Sequence, residues 1–323
     1  MTLRIDDDAI AEARRFNRKL ARAPRFRIRN RWTPRLIQAL LRLGQLLPER
    51  SLTRAGVRAA SAVAAIDGLR VPVRILRPAG KVHGVVLDIH GGGWVIGNAR
   101  MNDKLNAALA AACGVVVVSV DYRLALDAPV QDIMDDCLAA ARWLLQDGLP
   151  AFAGLPVFVV GESAGGHLAA ATLLRLKAWP ALLQKIEGAV LYYGVYDLAG
   201  TPSVLQAGPE TLVLDGPGMA EGLRMLTPDL TDAQRRQPPL SPLHGELDGL
   251  PPALMFVGEL DPLRDDTTKL AQGWRDAGAE VEMHLLPEAP HGLIHFPTRM
   301  AQLVTARSHA WIGERLIQIK ALT

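Results

Sequence analysis

The chain is poor in cysteine, with only Cys113 and Cys137 among its 323 residues, so a disulfide framework is excluded by number. Neither cysteine belongs to a nucleophile or metal-ligand pattern, and both read as small buried hydrophobes. Aromatic residues amount to 5%, and beyond Phe16, Phe26 and Trp32 none interleaves with the basic residues of the first sixty positions. That removes the aromatic-and-basic pattern of nucleic-acid binding. No apolar run approaches the ~18 residues of a transmembrane helix. The early acidic triplet Asp6, Asp7, Asp8 is unlike a secretory signal. There is no His-Glu-x-x-His zinc pattern, no Lys-Ser/Thr after a glycine run and no dinucleotide fingerprint. The expectation is therefore a cytoplasmic protein with no metal and no organic cofactor.

What remains is an ordinary globular composition, 49% hydrophobic and 21% charged, long enough for one large α/β domain with an appendage. Charge is unevenly shared. Residues 1–60 hold 15 Lys and Arg against five Asp and Glu, while the rest holds 21 against 28. In this basic arm two amphipathic helices are expected, one over Ile5–Leu20 and one opened by Thr33-Pro34 and stopped by Gly44. A solvated basic face on helices that pack against the body is weighed there against a nucleic-acid or anionic-membrane contact and against a lid.

The body alternates strand and helix. Gly68–Pro78 alternates apolar and polar residues, with Pro72 suggesting an edge strand. Val82–Ile89 is a buried strand that runs into His90-Gly91-Gly92-Gly93-Trp94. Three successive glycines cost backbone entropy, and what they allow is close approach of backbone N–H groups to a ligand. A helix near Asn102–Ala112, the strand Gly114–Val120 and a helix over Asp132–Leu145 continue the pattern of a parallel sheet. Next, Leu155–Val160 leads through Gly161-Glu162-Ser163-Ala164-Gly165-Gly166 into an alanine- and leucine-rich helix. A serine between two glycines on a strand-to-helix turn is a nucleophile elbow, because the turn leaves no room for side chains two residues either side. The serine stands over a helix N-terminus, where free N–H groups face an oxyanion.

These stretches, together with Asp121-Tyr122-Arg123-Leu124-Ala125 and Asp261-Pro262-Leu263-Arg264-Asp265, resemble the hormone-sensitive-lipase-like family of α/β-hydrolases, mostly bacterial carboxylesterases. The resemblance runs from about Gly68 onward. It implies an α/β-hydrolase fold, a mostly parallel eight-stranded sheet flanked by helices, with a helical cap. The cap would come from residues 1–60 and an insertion at about 198–250 of a catalytic domain spanning 61–323. Two departures stand out: Glu162 replaces the family's usual Asp, and Leu126–Gln131 replaces its usual Pro-Glu-His-Pro-Phe-Pro. The longer acid is expected to reach loop backbone still.

The expected catalytic set is Ser163 as nucleophile, Asp261 at the end of the strand Pro252–Val257, and His291, which matches the family's loop histidine. His295 is the fallback base. His284 is read as a strand-face residue, His309 as surface, and Asp265 and Asp266 as caps of a helix over Thr267–Ala277. The N–H groups of Gly92, Gly93 and Ala164 are the expected oxyanion hole, and Gly91, Trp94 and Tyr193 the substrate contacts. The expected reaction is hydrolysis of short- to medium-chain acyl esters through an acyl-enzyme. An amide or formamide hydrolase with the same triad is the alternative. The expected partner is a small-molecule ester, with no nucleic acid and no stable membrane insertion; a homodimer is left open.

Overall fold

The computed structural model describes residues 3–27, 32–45 and 50–322. Among these, eight strands form one sheet: β1 (Val57–Ile66), β2 (Leu69–Pro78), β3 (Gly84–Ile89), β4 (Val115–Val120), β5 (Val157–Glu162), β6 (Ile186–Tyr192), β7 (Ala253–Gly258) and β8 (Val281–Leu286). Their order across the sheet is β1-β2-β4-β3-β5-β6-β7-β8. The β1–β2 and β2–β4 pairs are antiparallel and the other neighbours parallel. This is the α/β-hydrolase fold with a helical cap.

The helical segments in chain order are α1 (Asp7–Leu20), α2 (Trp32–Gly44), α3 (Arg50–Arg54), α4 (Asp103–Cys113), α5 (Val130–Leu145) and α6 (Ala164–Leu176). They continue with α7 (Pro180–Leu183), α8 (Pro202–Leu205), α9 (Met219–Leu226), α10 (Asp232–Arg235), α11 (Arg264–Asp276) and α12 (Arg299–Leu322). Every residue of β3, β4, β5 and β7 is buried, as expected of parallel strands covered on both faces. Alternate side chains feed two cores. Val116, Val118, Val157 and Val159 join α5, α6 and α11 on one face. Val115, Val117, Phe158 and Val160 meet α4 and α12 on the other.

Two local expectations change. Pro72 does not mark an edge, because β1, which alanine-rich Val57–Ile66 does not announce, pairs with β2 along all ten residues. Asp67 and Gly68, at φ of 48° and 79°, close this hairpin as a two-residue turn with both central residues left-handed, and Asp-Gly is the sequence signal for it. Pro72 is tolerated because it lies just outside the β2–β4 pairing, which begins at Val73. The second change is Asp266, which caps no helix end. It is wholly buried and accepts hydrogen bonds from the N–H groups of Tyr196 (2.6 Å) and Asp197 (3.0 Å) and from the Thr201 hydroxyl (2.5 Å). Burial, outweighing those bonds, pushes its carboxyl up to about 7.

The arm is stitched to both parts of the molecule. Phe26 N–H donates to Val213 O (2.6 Å), Asp215 N–H to Phe26 O (3.1 Å), and Arg27 pairs with Asp215 (2.9 Å). From α1, the Asn17 amide donates to Glu288 O (2.7 Å), Arg14 pairs with Glu288 (2.8 Å) and Phe16 packs on Phe296.

Candidate active site

β5 delivers Ser163 at φ 53°, ψ −122°, a left-handed backbone that a non-glycine residue holds at a cost of about 1–3 kcal/mol. The strand pairing sustains it: Ser163 N–H donates to Tyr192 O on β6 at 2.9 Å. The two flanking glycines are obligatory. A Cβ on Gly161 would stand 2.4 Å from Gly165 O, and one on Gly165 would stand 1.9 Å from Ile89 O.

The turn aims Ser163 Oγ at His291 Nε2, 2.9 Å away, and His291 Nδ1 meets Asp261 Oδ2 at 2.9 Å. Asp261 follows β7; its side chain is fully enclosed, and its second oxygen accepts from Leu263 N–H at 2.9 Å. With both carboxylate oxygens engaged, Asp261 has one orientation, and that fixes which imidazole nitrogen carries the proton. His291 is buried, whereas the fallback His295 is 36% exposed at its side chain and turns to Glu162.

Beside the serine, Gly92 and Gly93 adopt φ of 107° and 60°. Neither their N–H groups nor that of Ala164 donates to an acceptor among the described residues. Trp94, at φ 61°, closes the loop. Its indole N–H donates to His167 Nδ1 (3.2 Å), and His167 Nε2–H donates to Leu240 O (2.8 Å). The indole is a donor only, so this imidazole is neutral with its proton on Nε2; burial, against the pull of the Leu240 carbonyl, holds its pKa down to about 4. Burial lowers the pKa of His90, which braces the loop, stacked on Tyr122 with ring centroids 4.2 Å apart.

Sequence reasoning missed how Glu162 works. Its Oε2 accepts from the Tyr193 hydroxyl (3.0 Å) and meets His295 Nε2 (2.8 Å), while Oε1 accepts from Gly91 N–H at 3.4 Å. Three loops therefore converge on one buried carboxylate. Burial raises its pKa, but the charge and hydrogen bond of His295, the Tyr193 hydroxyl and the nearby His291 outweigh that and hold it at about 2. Reciprocally, Glu162 overcomes burial to raise the pKa of His295. The only sequence signal was the acid beside the serine; a partner 133 positions away has none.

A mostly apolar cavity of about 200 Å³ opens over Ser163. Gly93, Trp94, Ala125, Leu126, Val195 and Leu263 line it from the loops around the sheet. Phe26 and Arg27 from the arm, with Leu214, Met219, Leu223 and Leu226 from the segment after β6, complete the lining. Gly91 and Tyr193, expected to touch substrate, stand behind this wall. Both are buried, and the Tyr193 hydroxyl is taken up by Glu162 while its ring sits edge-on to His291 at 4.8 Å. His284 lies on β8 against Phe256 and Glu282, away from the serine. His309, expected at the surface, is half-buried beside α4, and Cys113 Sγ contacts its carbonyl.

Residues 86–295 match a family described as having the alpha/beta hydrolase fold. Among characterised relatives, the carboxylesterase NlhH of Mycobacterium tuberculosis is 34% identical over 263 residues, covering 78% of each chain. An ethyl acetate hydrolase of Pseudomonas putida is 33% identical over 251 residues, covering 74% of each. A crystallised esterase described as of the bacterial hormone-sensitive lipase family superposes with a TM-score of 0.75 at 25% identity, over 97% of this chain and all of that one.

Proposed function

The chain belongs to the hormone-sensitive-lipase-like branch of the alpha/beta hydrolase fold family and is a serine ester hydrolase, and we propose that Ser163, His291 and Asp261 carry its reaction. The observation behind the assignment is the continuous line from Ser163 Oγ through His291 to the enclosed Asp261 carboxylate, beneath an apolar cavity. A serine hydroxyl is a weak nucleophile until a base takes its proton. His291 Nε2 does so as Oγ attacks the ester carbonyl, and Asp261 stabilises the imidazolium that forms. The N–H groups of Gly92, Gly93 and Ala164 hold the developing oxyanion. Losing one such donor typically raises the barrier by about 3 kcal/mol. His291 then protonates the departing alcohol, and water repeats the sequence on the acyl-enzyme.

We assign the cavity to short- or medium-chain acyl groups. Its small volume, its apolar lining and the ethyl acetate hydrolase among the relatives support this. Trp94, in the cavity lining, is the substrate contact. Gly91 and Tyr193 act from behind, through Glu162. No feature of the site favours the amide or formamide alternative. Among the described residues no helix is long and apolar enough to cross a membrane; a cytoplasmic setting, no nucleic-acid partner and either a monomer or a homodimer complete the proposal. The test is a p-nitrophenyl ester series from acetyl to dodecanoyl. Rates peaking at short or medium chains and vanishing in Ser163→Ala are expected. A Ser163→Ala protein that keeps near-normal turnover would overturn the assignment.

A further inference from the structure

Helix α2 leaves a large part of its apolar surface facing outward. Its Gln38 is buried, and its amide makes a reciprocal pair with the backbone of Gly97: Nε2–H donates to Gly97 O and Gly97 N–H donates to Oε1, each at 2.8 Å. Just past the helix, Gln45 and Asn98 exchange a second reciprocal pair at 3.0 and 2.8 Å. Four directional bonds thus fix which way the helix faces, with Pro34 and Gln38 buried and Ile37 and Leu41 half-buried on the body side. Apolar residues also face out, with Leu36 62%, Leu40 59% and Leu43 63% exposed. At 3.6 residues per turn these three leucines, with Trp32 and Ala39, occupy an arc of about 100°, and Arg35 and Arg42 border one side of it. A helix free to choose would rotate this stripe inward.

We propose that this outward face is a docking surface for an anionic lipid surface. The leucines would enter the headgroup–acyl boundary, while Arg42 and the strongly basic arm around it meet the negative charge. Charge complementarity selects this occupant. Residues 1–60 carry 15 Lys and Arg against five Asp and Glu, so a second copy placed face to face would bring two cationic arms together. The Arg35–Asp127 pair (3.2 Å) ties α2 to the segment just after Leu126 in the cavity wall, which would hold the ester site beside the lipid. The contact is peripheral and independent of the chemistry assigned above.

The test is flotation of the full chain with vesicles of phosphatidylcholine mixed with phosphatidylglycerol, against phosphatidylcholine alone. The wild type is expected to float with the anionic vesicles and to be released by high salt. The variant Leu36→Ser/Leu40→Ser/Leu43→Ser should lose at least about tenfold in partitioning, with hydrolysis of a water-soluble ester unchanged as the control for folding. The single variant Arg42→Gln, at an exposed position, should lose about fivefold. A wild type that stays with the buffer would overturn the proposal, as would leucine variants that float equally well. So would a vesicle-free dimer that the leucine changes convert to monomer, which would make the face a self-association surface.

Discussion

Replacing Glu162 by Gln removes a charge and almost nothing else, so its effect can be worked from the carboxyl's surroundings. The fold holds that carboxyl at about 2 against an ordinary value of 4.5. At about 1.4 kcal/mol per pH unit, the ionised form contributes roughly 3 kcal/mol to stability at pH 7. The sign follows from a depressed pKa: the contribution is full above about 4.5, and it is lost as the pH falls toward 2. Glu162→Gln, which resembles the protonated side chain, should therefore cost about 3 kcal/mol at pH 7. Near pH 3 the cost should shrink to roughly half, because the wild type itself is then losing that contribution. A second decline belongs to His295, whose raised pKa means that its share is present below 6.5 and lost as the pH rises through the folded value. Urea unfolding of both proteins at pH 7, 5 and 3, with unchanged denaturant slopes, reads this directly. A difference under about 1 kcal/mol at pH 7, or one that does not change with pH, would show that the His295 and Tyr193 contacts do not hold the charge as described.

Two further outcomes follow from other parts of the site. Gly165→Ala should prevent stable folding or cost at least about 3 kcal/mol by thermal unfolding, because its Cβ would lie 1.9 and 2.5 Å from the Ile89 and His90 carbonyl oxygens, and backbone cannot step aside as a side chain can. Iodoacetamide at pH 8 should leave ester hydrolysis intact, since burial raises Cys113 to about 11 and Cys137 well above the ordinary thiol range; mass spectrometry showing rapid labelling together with loss of activity would contradict both burials.

The elbow and the glycine loop were legible in the sequence because each is a backbone demand that only glycine meets, so the demand is written locally. The order of strand and helix was legible for the same kind of reason: Val115–Val118 and Val157–Val160 are apolar without alternation, as strands covered on both faces must be. The pairing of Glu162 with His295 was not, since a side-chain contact between distant loops leaves no periodic trace. Periodicity announced α2 as amphipathic but could not say which residues turn inward, because the amides of Gln38 and Gln45 help to set that through bonds to a distant loop. β1 escaped for a plainer reason. Alanines at Ala59, Ala60, Ala62, Ala64 and Ala65 do not read as a strand, and only the Asp67-Gly68 turn pointed to one.

His167 has a consequence of its own. It is a relay between the glycine loop and the segment after β6, with its lone pair facing Trp94 and its proton facing Leu240. Such a connector works in one protonation state only. A second proton would set two N–H groups against each other, so the site refuses it until about pH 4, whereas the unfolded chain takes it up below 6.5, and His167 withdraws stability over that interval. Acid therefore acts on a structural histidine behind the substrate wall as well as on the base of the reaction, and at His167 it is felt as lost stability of the fold.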